Sequence, residues 1–136
     1  MSLGLEIISL LSANGLGTYK ASLFLNSMPE TPNVCGAVYE TGGAAPQGGF
    51  GTPGIKHERP GVMVRFRGEK FDSESPRIKA QLAYRLFMTI QGQTLSGTTY
   101  LTLHPTQPPF ILERDGNERV VWVFNALPEK ELSASV

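Results

Sequence analysis

The sequence predicts an α+β protein, a mixed and largely antiparallel sheet of about five strands with two main helices packed on one face. Two stretches place apolar residues at helical spacing. The run Val62, Met63, Val64, Arg65, Phe66, Arg67 alternates with the period of a strand. Three strand-like runs then follow one another near the end, an order that favours antiparallel pairing over crossover connections.

The first helix covers 2–11. Leu3, Ile7, Leu10 and Leu11 line one side, Leu5 and Ile8 widen the stripe, Ser2 can cap its start, and Asn14-Gly15 is a natural stop. Residues 16–32 hold scattered apolar side chains and the breakers Pro29 and Pro32, and read as a structured connection. A strand is expected at 34–40. Residues 41–59 carry six glycines and two prolines, with Phe50 and Ile55 their only large apolar side chains, so a long loop is expected there. Alternation resumes at 62–67, with Val62, Val64 and Phe66 on one face and Met63, Arg65 and Arg67 on the other. The best helix covers 73–91: Ile78, Leu82, Leu86 and Ile90 form a four-residue ladder, broadened by Ala83 and Phe87, expected to face the core, and Pro76 confines the start to 73–75. Strands are expected at 98–103, 110–114 and 119–127, the last two joined by the turn Asp115-Gly116-Asn117, and the tail 129–136 reads as frayed. One domain spanning 1–136 accommodates all of this.

The last strand poses a problem of cover. Val120, Trp122 and Phe124 fall on one face, Val121 and Val123 on the other, whereas a half-exposed strand should alternate apolar with polar. Two helices can cover one face. The other needs either the connection 16–32 or a neighbouring subunit. Covering Trp122 and Phe124 is worth roughly 1.5–3 kcal/mol each.

Charge and composition exclude several roles. Twelve basic and twelve acidic residues cancel, which argues against a general nucleic-acid binder. The lone Cys35 cannot form an internal disulfide. The run Ile7 to Leu11 is interrupted by Ser9 and falls far short of the roughly 20 apolar residues a bilayer requires, so no membrane association is expected. His57, His104 and Cys35 lack the paired short spacing of metal ligands. Gly15-Leu16-Gly17 and Gly42-Gly43 lack the strand-to-helix context and lysine of phosphate loops. No catalytic residue, cofactor or metal is expected. Arg65 and Arg67 read either as a solvated or protective strand face, or as an inter-subunit or DNA-facing surface, since the guanidinium fork fits carboxylate and phosphate alike.

Several segments together resemble a known family. They are the first helix, Leu-Gly-Thr at 16–18, Leu-Phe-Leu-Asn-Ser-Met-Pro at 23–29, Ala-Val-Tyr-Glu-Thr-Gly-Gly at 37–43, Arg-Pro-Gly-Val-Met-Val-Arg-Phe-Arg-Gly at 59–68, and the alanine-containing helix that ends near Ile90. In this order they are similar to the tail-terminator or "minor capsid" proteins of long-tailed bacteriophages, over roughly residues 3–127. The resemblance implies a non-enzymatic subunit of a ring, typically a hexamer, at the head-proximal end of the tail, made in the host cytoplasm. Such a ring stops tube polymerisation and docks the head. Its expected partners are further copies of itself, the tail tube protein and a head/neck connector, with DNA passing through unbound. Gly42, Gly43, Phe50, Ile55, Arg65, Arg67 and Trp122 are the candidate assembly-interface residues. The alternatives are a neck or minor capsid protein, a small monomeric binding module, or an enzyme that uses His57 or His104.

Overall fold

The computed structural model describes residues 2–48 and 56–131, with the backbone alone at 44–48 and 56–58. Its first element is helix α1 (Leu3–Ala13), capped by the Ser2 hydroxyl, which accepts from the Leu5 N–H at 3.3 Å. Strands β1 (Leu23–Leu25), β2 (Cys35–Gly48) and β3 (Lys56–Lys70) follow, then helix α2 (Glu74–Thr89). The chain continues through β4 (Gln91–Leu95), β5 (Thr98–Thr102), β6 (Phe110–Arg114), β7 (Arg119–Ala126) and β8 (Glu129–Glu131).

The α+β architecture is as expected, and β3 organises it. A five-stranded mixed sheet runs β1-β2-β3-β7-β6, with β1 parallel to β2 and the other pairs antiparallel. A small antiparallel sheet, β8-β5-β4, joins it where His57 and Glu58 of β3 pair with Glu131 and Lys130. Three strands were not expected from the sequence. β1 lies within the predicted connection, β4 begins within the predicted last turn of α2, and β8 occupies the start of the predicted frayed tail. All three are short: β1 is the apolar Leu23-Phe24-Leu25, too brief to show a period, while β4 and β8 are largely polar and held by backbone pairing.

Residues 41–59 also differ from expectation. Where described, they are paired strand rather than loop: β2 runs on to Gly48 and β3 starts at Lys56, with Ala44 opposite Arg59 and Gly48 opposite Lys56. A ladder pairs backbone with backbone, so a glycine-rich hairpin arm needs no apolar core of its own. Register shifts on either side of Ala44 mark bulges. Gly43 takes φ +78° there, and a Cβ at that position would collide with the backbone of Arg59 and Gly61.

The core lies between the helices and one face of the large sheet. Val38, Val62, Val64, Phe66 and Phe124 pack against Leu3, Ile7, Ile8 and Leu11 of α1 and Ala80, Ala83 and Phe87 of α2. The Phe124 ring meets Phe87 and Tyr84 edge-on, at 5.2 and 5.9 Å between centroids. Tyr100 of the small sheet completes this core, donating its hydroxyl proton to the buried Glu6 carboxylate at 3.0 Å. Burial, followed by the charge of Glu6, pushes the Tyr100 hydroxyl well above its ordinary pKa.

Helix α2 presents the predicted face only in part: Ala83, Phe87 and Ile90 are buried and Leu86 half-buried as expected, but the helix is turned so that the first half of the ladder is not. Its buried side chains are Pro76, Ala80, Ala83 and Phe87, whereas Ile78 and Leu82 of the expected ladder point outward. Small residues let the helix axis approach the sheet closely, and Phe87 then fills the space that remains. Asp72 caps the helix instead of Ser73, accepting from the N–H groups of Glu74 and Ser75 at 3.1 Å each.

The second face of the sheet is covered in part by the chain's own connection. Arg67 and Arg119 are buried there and grip residues 29–33. Arg67 donates to the carbonyl oxygens of Pro29 at 2.6 Å, Pro32 at 2.7 Å, Asn33 at 3.0 Å and Glu30 at 3.3 Å. Arg119 donates to the Glu30 carbonyl at 2.7 Å, the Glu30 carboxylate at 2.8 Å, Asn33 Oδ1 at 3.0 Å and Asp115 Oδ2 at 2.8 Å. Burial acts to raise the Asp115 carboxyl, but the backbone N–H groups of Arg119 and Asn117, together with the Arg119 guanidinium, outweigh it and hold the pKa below its usual value.

Phe124→Ala should cost about 3–5 kcal/mol in chemical denaturation, against roughly 1–3 kcal/mol for the half-buried Trp122→Ala. An equal or larger loss at Trp122 would contradict this packing. Arg67→Lys should cost about 2–4 kcal/mol, because an ammonium cannot reach four carbonyls arranged for a planar fork. A loss under about 1 kcal/mol would show that the grip contributes little.

Candidate assembly surface

The residues singled out from the sequence fall into different settings. Gly42 and Gly43 sit exposed on the hairpin arm, next to each other but not alike. A Cβ at Gly42 would meet open space, whereas Gly43 is fixed by its backbone conformation and by its closeness to β3. Phe50 and Ile55 lie outside the described residues.

Arg65 and Arg67 share the second face of β3, as the alternation implies, but they do different things. β3 is paired on both sides, so neither arginine guards a sheet edge. Arg67 is buried, and its donors are taken up by the 29–33 connection. Arg65 is half-buried and lies flat on the sheet. Its guanidinium carbon is 4.5 Å from the Tyr39 ring centroid, and its Nε donates to Met63 Sδ at 3.2 Å. One face of that guanidinium rests on the ring.

Trp122 lies on the helix side of β7, half-buried against the core, with Nε1 donating to Ser73 Oγ at 3.2 Å. It ties β7 to the start of α2. The expected problem of cover is solved here by α2 on one face and, around Val121, by the connection that Arg67 and Arg119 hold on the other.

Exposed large apolar groups lie elsewhere: Phe71 in the turn after β3 keeps 73% of its surface, Met88 near the end of α2 49% and Tyr19 39%, and the others gather on β6 and α2. On β6, Phe110, Ile111 and Leu112 keep 39%, 53% and 38% of their surface exposed. β6 pairs only with β7 among the described residues, so its outer side is a sheet edge. On α2, Ile78 and Leu82 keep 46% and 49%. Leu82 also borders a hollow of about 150 Å³ shared with Asn14, Leu16 and Leu86. The β6 signal was readable: three consecutive large apolar residues next to Pro108-Pro109 suit a short edge strand that meets a partner.

No reactive cluster accompanies these surfaces. Among the described residues, no three His, Cys, Asp or Glu side chains come together where they could hold a metal ion. Cys35 is buried, and burial raises its thiol pKa despite the opposing charges of Arg67, Arg119 and Lys79, which keeps it in the unreactive thiol form. Among the same residues no helix is long and apolar enough to cross a membrane.

A family model described as "Bacteriophage tail terminator protein" matches residues 10–129. No curated protein matches the chain significantly. The matched span runs from α1 to β8 and takes in both sheets and α2. The chain therefore belongs to the bacteriophage tail terminator proteins, which are structural, non-enzymatic components of the virion tail.

Proposed function

We propose that this chain acts as a closed ring, a hexamer, seated on the head-proximal end of the tail tube. There it stops further polymerisation of the tube and offers the opposite surface to a head or neck connector, while DNA passes through the central hole. Membership of the tail terminator family implies interaction with the tail tube. The ring and the connector go beyond that.

The observation that carries the reading is the hairpin arm. Beyond Thr41, β2 has β3 as its only partner among the described residues, so its outer side is an open sheet edge, while β3 is backed at His57 and Glu58 by β8 of the small sheet. On this edge the run Gly42-Gly43-Ala44 carries no bulky side chain, so backbone groups are open to a partner. Such a surface can lie flush against the last ring of a tube and add hydrogen bonds there. Arg65 and Trp122 lie away from the arm and support the body of the subunit. The cancelling charge suits a channel along which DNA slides without being held by its phosphates.

Particles assembled without this chain should carry over-long tails by electron microscopy. Tails of correct length in its absence would overturn the reading. Replacing residues 45–55 with a two-residue turn should shift stability by no more than about 1 kcal/mol yet abolish control of tail length. Normal tails with the shortened chain would exclude the arm as the tube contact.

A further inference from the structure

Besides the separate Tyr19, Phe71 and Met88, the exposed large apolar side chains gather in two patches that differ in shape and in charge. One is the outer ridge of α2, where Ile78 and Leu82 stand four residues apart and Arg85 continues the same ridge one turn on. The other is β6, where Phe110, Ile111 and Leu112 stand at a sheet edge and Glu113 follows. Neither Arg85 nor Glu113 belongs to an ion pair among the described residues, although other charged groups at the helix start and in the β6–β7 turn are paired. The first patch has a hollow beside Leu82, and the second has protruding aromatic and branched side chains. Each lacks what the other has.

We propose that the two patches are the halves of one contact between copies of this chain, with β6 of one copy lying on the α2 ridge of the next. Phe110 to Leu112 cover Ile78 and Leu82, and Glu113 pairs with Arg85. The patches lie on different elements of one subunit, so the contact is head-to-tail and leaves a free half at each end of any open chain of copies. A contact of this kind is what a ring requires, and the inference rests on the ring reading above. Side chains rather than backbone carry it, because a bulge between Ile111 and Glu113 interrupts the regular ladder of β6.

Sedimentation of the whole chain with two variants tests this. Leu82→Asp spoils the ridge and Ile111→Asp spoils the strand. Both positions are exposed, and thermal melts check that both variants fold. Wild-type chain should self-associate, and each variant alone should associate at least about tenfold more weakly. An equimolar mixture of the two should recover dimers and nothing larger, since only one intact ridge and one intact strand remain to meet. Variants that associate like wild type, or a mixture that stays monomeric, would overturn the interface. Wild-type chain that never associates would overturn it too. The ring itself is judged independently by tail length, so correct termination together with unaffected variants would discard this contact and leave the ring standing.

Discussion

β3 cannot be exposed on either face. Val62, Val64 and Phe66 point into the helix-covered core, while Arg67 on the opposite face is buried among backbone carbonyls, and β7 beside it is in the same position. The helices answer the first demand. The second is answered by an unusual device, two arginines that draw the 29–33 connection across the sheet by its carbonyl oxygens. A buried guanidinium left without acceptors would cost several kcal/mol, so the connection and the arginines have to be placed together. With the second face closed in this way around Arg67 and Arg119, most of the large apolar groups that remain exposed are those of β6 and α2, with Phe71 and Tyr19 outside both.

Much of the fold was legible where a local rule and the tertiary structure agree. Ser2 before an apolar stripe marks α1, alternation from Val62 to Arg67 marks β3, and Asp115-Gly116-Asn117 marks the β6–β7 hairpin. The errors have physical causes. Of the predicted α2 face Ala83 and Phe87 do meet the sheet, but Ile78 and Leu82 do not, because the small Ala80 and Ala83 allow closer approach on their side. The glycine-rich stretch was judged by its lack of core-forming side chains, yet a hairpin needs only backbone partners in register. No pattern within β8 announces a strand, since its pairing is set by β3 and β5 rather than by its own residues.

The assembly surface was partly legible for the same reasons. Arg67 and Trp122 were singled out as interface candidates, and the structure shows each making contacts inside the subunit, the first with the connection and the second with Ser73. Ile78 and Leu82 were assigned to the core because apolar residues at helical spacing usually belong there. Their exposure shows only when the opposite side of the helix is seen to be the buried one. An apolar residue with no internal partner is informative in a family of proteins that act through contact, since it points to where that contact is made.

The continuity of β3 has a mechanical consequence. At roughly 3.3 Å per residue, this one strand runs without a break from the arm, through the junction with the small sheet, to the strands beneath α2. A load applied at the arm is carried along a single hydrogen-bonded beam to the far side of the subunit, with no hinge to absorb it on the way. The subunit should therefore tilt as a stiff body when the arm is pushed. In the proposed ring, a change where the arm meets the tube would then be passed on as orientation alone.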